Sequence, residues 1–148
     1  MEFKYGGHGH WTATDINKLE DVQRKAVGMI SGLKGITYEE KIKELHLETL
    51  EERRNRLDMM QTFKILKGYD KVDPGIWFNY FETTRPTRLS SHPLNIRRVE
   101  ISNTDIRNKF YSQRVINMWN NLPDYVKESK TISSFKTNYS SYASTMVT

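Results

Sequence analysis

Cysteine is absent from the chain, which removes disulfides and every cysteine-based zinc module in one step. An unlinked chain of this size suits the cytosol or the nucleus, and that is the expected localisation. No stretch of about 18 apolar residues occurs, so no membrane partner is expected. The opening Met-Glu-Phe-Lys-Tyr-Gly-Gly has no apolar core of the kind a secretory leader needs. Paired aspartates that could hold two catalytic metal ions are missing, and no Tyr-x-Asp-Asp motif occurs. Without cysteine, and without a defensible Ser–His–Asp grouping, nucleophilic hydrolysis has no candidate centre. The glycines at 28 to 35 follow no strand and precede no Gly-Lys-Ser/Thr, so they form no phosphate loop. His8 and His10 sit on a glycine-rich stretch and are not read as metal ligands. The sequence therefore points to no catalytic residues, metal, cofactor or small-molecule substrate.

What is present is a polar chain of 148 residues with a mean hydropathy of −0.72. Three Trp, eight Tyr and six Phe are enough for a modest core. The net charge is +5 and the isoelectric point about 9.4. Its distribution is uneven. Between Arg85 and Arg114 stand seven cations, Arg85, Arg88, Arg97, Arg98, Arg107, Lys109 and Arg114, against only Glu100 and Asp105. The remaining Lys and Arg are matched by equal numbers of Asp and Glu. Six of the seven cations are arginines, whose planar fork suits bidentate phosphate contact. These seven are the candidate nucleic-acid-binding residues, with RNA, DNA or both as the partner; a solvated basic loop is the plainer alternative.

Hydrophobic spacing predicts a mainly α fold of about five to six helices, with a short β-hairpin or ordered loop around 85–101. The expected division is an irregular segment over 1–14, an N-terminal helical lobe over 15–82, a basic loop plus C-terminal helices over 83–143, and a frayed tail over 144–148. A first helix should begin near Asp15, following a weak capping signal at Thr12, and stop at Gly32 and Gly35. Thr37-Tyr38-Glu39-Glu40 and Thr49-Leu50-Glu51-Glu52 are capping boxes that open two further helices. The second of these should end at Gly68 and bury Leu50, Leu57, Met60, Phe63 and Leu66. Arg53 and Arg54 fall near that stripe, so at least one needs a partner; Asp58, one turn beyond Arg54, is the candidate, and a nucleic-acid contact is the alternative. Asp73-Pro74 predicts a turn into a short aromatic helix containing Trp77, Phe78, Tyr80 and Phe81, read as a plug between lobes, with base stacking as the alternative. A helix over 103–121 should bury Phe110, Trp119 and Leu122 and close at Pro123. A last helix is expected over 131–142.

These residues, in order, resemble the region that follows the polymerase core in animal LINE-type (non-LTR) retrotransposon reverse transcriptases, especially the Jockey and chicken-repeat-like clades. Asp15-Ile16-Asn17-Lys18-Leu19-Glu20-Asp21-Val22-Gln23-Arg24-Lys25-Ala26 is similar to that family's Asp-Ile-x-x-Leu-Glu-x-Val-Gln-Arg-Arg-Ala helix. Leu50-Glu51-Glu52-Arg53-Arg54, Phe63-Lys64-Ile65-Leu66-Lys67-Gly68 and the run from Phe110 to Pro123 are similar to later family segments, and Ser134-Phe135-Lys136 to the closing one. The chain departs from the pattern at Gly7-His8-Gly9-His10, where the family has Val-Trp-Ser-Pro, and at Pro86, where it has Gly. The resemblance implies a non-catalytic C-terminal part of an RNA-directed DNA polymerase, binding template RNA or target DNA beside a reverse transcriptase core. The alternatives are a domain that packs on the polymerase thumb, or a decayed copy without a present function.

Overall fold

The computed structural model describes residues 13–81, 92–97 and 111–146. Among them the fold is mainly helical, with seven α-helices and one two-stranded antiparallel pair. Two compact units divide between Arg54 and Asn55. The expected boundary near 82 lay later. The units part inside one helix because the second half of that helix is packed into the C-terminal core.

In the first unit, α1 (Ala13–Gly28) precedes a 3₁₀ turn (Ser31–Leu33) and α2 (Tyr38–Glu44). α1 begins two residues ahead of the expected Asp15, and Thr12 lies outside the described residues. The capping box at α2 is complete: the Thr37 hydroxyl accepts from the Glu40 N–H, and the Glu40 carboxylate accepts from the Thr37 N–H at 2.8 Å. That bond and the one from the Thr37 hydroxyl hold the Glu40 carboxyl below its ordinary range. α3 (Leu50–Leu66) opens on the same device at Thr49 and Glu52, with bonds of 2.9 and 3.1 Å. α1 adds a further cap, since Glu20 accepts the Leu50 N–H at 3.0 Å, one of the donors a helix start leaves orphaned. Gln23 donates to the Tyr38 hydroxyl and to the Glu48 carbonyl, both at 3.1 Å. Among its described residues only Val27 and Ile42 are buried apolar side chains, so polar stitching takes the place of a core there.

The second unit holds the rest of α3, α4 (Pro74–Trp77), β1 (Asn79–Tyr80), β2 (Ile96–Arg97), α5 (Tyr111–Asn120), α6 (Asp124–Lys127) and α7 (Ile132–Met146). Its core stacks aromatic rings: Phe63 on Phe135 at 4.3 Å between centroids, with Trp119 and Tyr139 each 6.1 Å from Phe135. Met59, Ile65, Phe78, Ile96, Val115, Ile116, Leu122 and Val126 fill the remaining space. The buried face of α3 is Met59, Thr62, Phe63 and Ile65; of the expected stripe Phe63 is buried, Met60 and Leu66 are half-buried against the core, and Leu57 is 51 % exposed. Thr62 is tolerated at the core because its hydroxyl donates to the Asp58 carbonyl at 2.8 Å.

The antiparallel pair joins Asn79 with Arg97 and Tyr80 with Ile96, so its first strand precedes the expected 85–101 range and uses Tyr80, which had been placed in a helix. The side-chain amide of Asn120 completes Ile96, accepting its N–H at 3.0 Å and donating to its carbonyl at 2.8 Å. Phe110 and the expected helical residues before Tyr111 lie outside the description. α6 was not foreseen, although Pro123 at its N-cap followed by Asp124 is a start signal. α7 continues through Met146, where a frayed tail was expected from 144.

Candidate nucleic-acid interface

Of the seven candidate cations, Arg97 and Arg114 fall within the described residues; Arg85, Arg88, Arg98, Arg107 and Lys109 lie outside them. Arg97 is exposed on β2, directly across from Asn79. Arg114 projects from α5, and its Nε and Nη2 each donate to an Asp58 carboxylate oxygen at 2.8 Å. The expected Arg54–Asp58 pair therefore gives way to an Arg114–Asp58 pair. A two-bond guanidinium fork holds a carboxylate better than a single contact along the helix. Arg54 instead lines an apolar cleft of about 260 Å³ with Ile16, Leu19, Leu50 and Glu51. Arg53 stands 3.9 Å from Glu48.

Around Arg114 the surface is aromatic. Its guanidinium lies 5.7 Å from the centre of the Tyr111 ring, and the Trp77 ring meets Tyr111 edge-on at 6.2 Å and 76°. The Tyr111 hydroxyl is 2.8 Å from that of Thr62; because Thr62 donates to Asp58, it accepts from Tyr111. Burial pushes the Tyr111 phenol up to about 12. The aromatic run from Trp77 divides: Phe78 enters the core of its unit, whereas Trp77 and Tyr80 stay partly exposed.

Behind this surface the turn at 92–97 is fastened by polar groups that the sequence reading passed over. Lys127 is 2 % exposed, and its Nζ donates to Asn95 Oδ1 and to the Asn120 carbonyl, both at 2.9 Å. Burial lowers its pKa, with Asp124 opposing. The Trp119 indole donates to the Leu94 carbonyl at 2.8 Å. His92 Nδ1 accepts the Leu94 N–H at 3.1 Å, so its other nitrogen carries the proton of the neutral ring. That nitrogen is 3.5 Å from Glu128 and makes no hydrogen bond. No local pattern marks a lysine for burial. Two neutral acceptors converging on Nζ are a tertiary event.

Leu122 is buried, as expected of the residue closing α5, and Trp119 is fully buried. No cluster of three or more His, Asp or Glu able to hold a metal occurs among the described residues, and no described helix is long and apolar enough to cross a membrane. Comparison with protein-family models, with curated proteins and with solved structures finds no match for this chain.

Proposed function

We propose that the chain is a non-catalytic nucleic-acid-binding module, the C-terminal part of a non-LTR retrotransposon reverse transcriptase, and that it holds template RNA or target DNA through the basic second unit. One observation carries this reading. The whole positive excess lies in that unit, which has fourteen Lys and Arg against eight Asp and Glu, while the first has nine against ten. A polyanion would be drawn to one half of the molecule. Arg97, exposed on β2, is the described residue best placed for phosphate. Arg114 is engaged by Asp58 and serves chiefly to position the Tyr111 surface.

The test is fluorescence anisotropy of the chain with single-stranded RNA and with duplex DNA, from roughly 50 to 200 mM salt. An Arg85→Ala, Arg88→Ala, Arg97→Ala, Arg98→Ala variant runs beside it. Binding that weakens steeply with salt and is lost in the variant supports the reading. Absence of binding at the lowest salt sinks it.

A second reading, a packing domain for a polymerase thumb, is favoured by the apolar side chains left open on the first unit. Met29 is 80 % exposed, and Val22, Leu19 and Ile30 are exposed with it. It predicts self-association of the isolated chain, read by sedimentation.

A further inference from the structure

Trp77 is the last residue of α4 and stands 44 % exposed, although large aromatic side chains are usually well covered. Both sides of it are anchored. Upstream, the Asp73 carboxylate accepts the Gly75 N–H at 2.9 Å and Pro74 presets the first turn. Downstream, Phe78 is buried in the core and its N–H donates to the Pro74 carbonyl at 2.8 Å. Laterally, the edge-on contact with Tyr111 holds the indole plane, and Tyr111 is itself fixed by Thr62 and covered by the Arg114 guanidinium. The result is an indole held in place and partly open to solvent.

We propose that Trp77 is a stacking platform for the unpaired nucleobases of a single-stranded nucleic acid, with Arg97 contacting the adjoining phosphates. The proposal rests on the nucleic-acid reading above and deepens it by naming the strand form and the stacking residue. An immobilised aromatic ring loses little freedom on binding, so nearly all of the stacking free energy is retained. The charge around it suits a polyanion. Arg97 stands across the strand pair from Asn79, two residues beyond Trp77. Of the carboxylates on this side, Asp73 accepts the Gly75 N–H and Asp58 holds the Arg114 fork. A duplex hides the faces of its bases inside the stack, so it has nothing to offer the indole.

The experiment titrates the full chain with labelled oligo-U, oligo-dT and a duplex of the same length, about ten nucleotides, within the range one single-strand site spans. Anisotropy gives affinity, and tryptophan emission reports stacking. Trp119 is buried, which leaves Trp77 as the described tryptophan a base can reach. The expected result is quenching by the single strands, with Trp77→Ala weakening their binding roughly five- to a hundredfold and leaving duplex binding unchanged. Trp77→Tyr should retain most of the affinity. Near-ultraviolet circular dichroism, dominated by the core rings, establishes that each variant is folded. A larger loss for oligo-U than for oligo-dT, or the reverse, identifies the strand recognised and supports the proposal. If the parent binds single strands and Trp77→Ala binds them equally well, the stacking role is overturned while the nucleic-acid reading stands. An equal loss on single strands and duplex also overturns it. So does a parent that self-associates through Trp77, by sedimentation, with unchanged nucleic-acid binding. No binding to any of the three overturns the nucleic-acid reading and this inference together.

Discussion

The two units terminate helices with the same hydrogen-bond motif and different residues. After α2, the Leu47 N–H reaches the Ile42 carbonyl at 2.8 Å and the His46 N–H reaches Lys43 at 3.1 Å; after α3, Tyr69 reaches Lys64 at 2.9 Å and Gly68 reaches Ile65 at 3.2 Å. Both are Schellman caps, and both need a left-handed residue. The second unit supplies Gly68, at φ 72°, whereas the first supplies His46, at φ 52°. The same difference runs through the rest of each unit. The second unit buries a stacked aromatic core. The first relies on Glu20, Gln23 and two capping boxes around a pair of buried aliphatic residues. A unit held by hydrogen bonds at its surface gains little from each, because water competes for the same groups. Burial of apolar area has no such competitor.

Truncation at the centre of the second unit is the most severe test of this contrast. Phe63→Ala removes the ring stacked on Phe135 and should cost about 3–5 kcal/mol, read from denaturant unfolding followed by Trp119 fluorescence. Amide hydrogen exchange on the parent should show α1 and α2 opening at lower free energy than α5 and α7, and equal protection would refute the contrast.

Arg114→Ala comes next. It strands the Asp58 carboxylate, whose side chain is mostly buried, and should cost about 1.5–3 kcal/mol. Arg54→Ala should not, since Asp58 keeps its fork; a loss in Arg54→Ala equal to that in Arg114→Ala would restore the pairing along the helix. The cap substitutions are smaller and opposite in sign. His46→Gly relieves a left-handed side chain and should stabilise the first unit by about 1 kcal/mol, while Gly68→Ala imposes the same strain on the second and should destabilise it by a similar amount. Both are measurable as shifts in unfolding midpoint.

Alkaline titration separates two buried groups of the second unit. The Tyr111 pKa is raised on folding from 10.0 to about 12, so its contribution is complete below pH 10 and is lost as pH rises towards 12. Tyr111→Phe should flatten that decline. Lys127 is shifted the other way. Its folded pKa lies below 10.5, so the unfolded chain holds more protons in that interval, and stability rises with pH across it. Lys127→Met should abolish the rise. The smallest effect is expected at Val22→Ala, exposed on α1, within about 0.5 kcal/mol of zero.

Much of the local structure was legible in the chain itself. Thr37 with Glu40, Thr49 with Glu52, Asp73 before Pro74, and Gly68 each satisfy or redirect backbone groups within four residues. Such geometry depends on neighbours in sequence alone, and all four stand where the pattern places them. The face that α3 buries was legible only in part. Phe63 is buried where the expected stripe places it, but the stripe offers Leu57, which is exposed, in place of Met59, and only the packing of Phe135 and Trp119 selects between them. The candidate surface divides the same way. The concentration of arginine is plain in the sequence. Asp58 nevertheless takes Arg114 rather than Arg54, Phe78 turns inward while Trp77 stays out, and Lys127 is buried among neutral acceptors. Each of these is a choice among several chemically adequate partners. Caps and turns followed from the sequence because their competitors lie within one helical turn. Pairing and burial waited for the tertiary structure because their competitors lie some twenty-five to seventy residues away and are ranked only when the core closes.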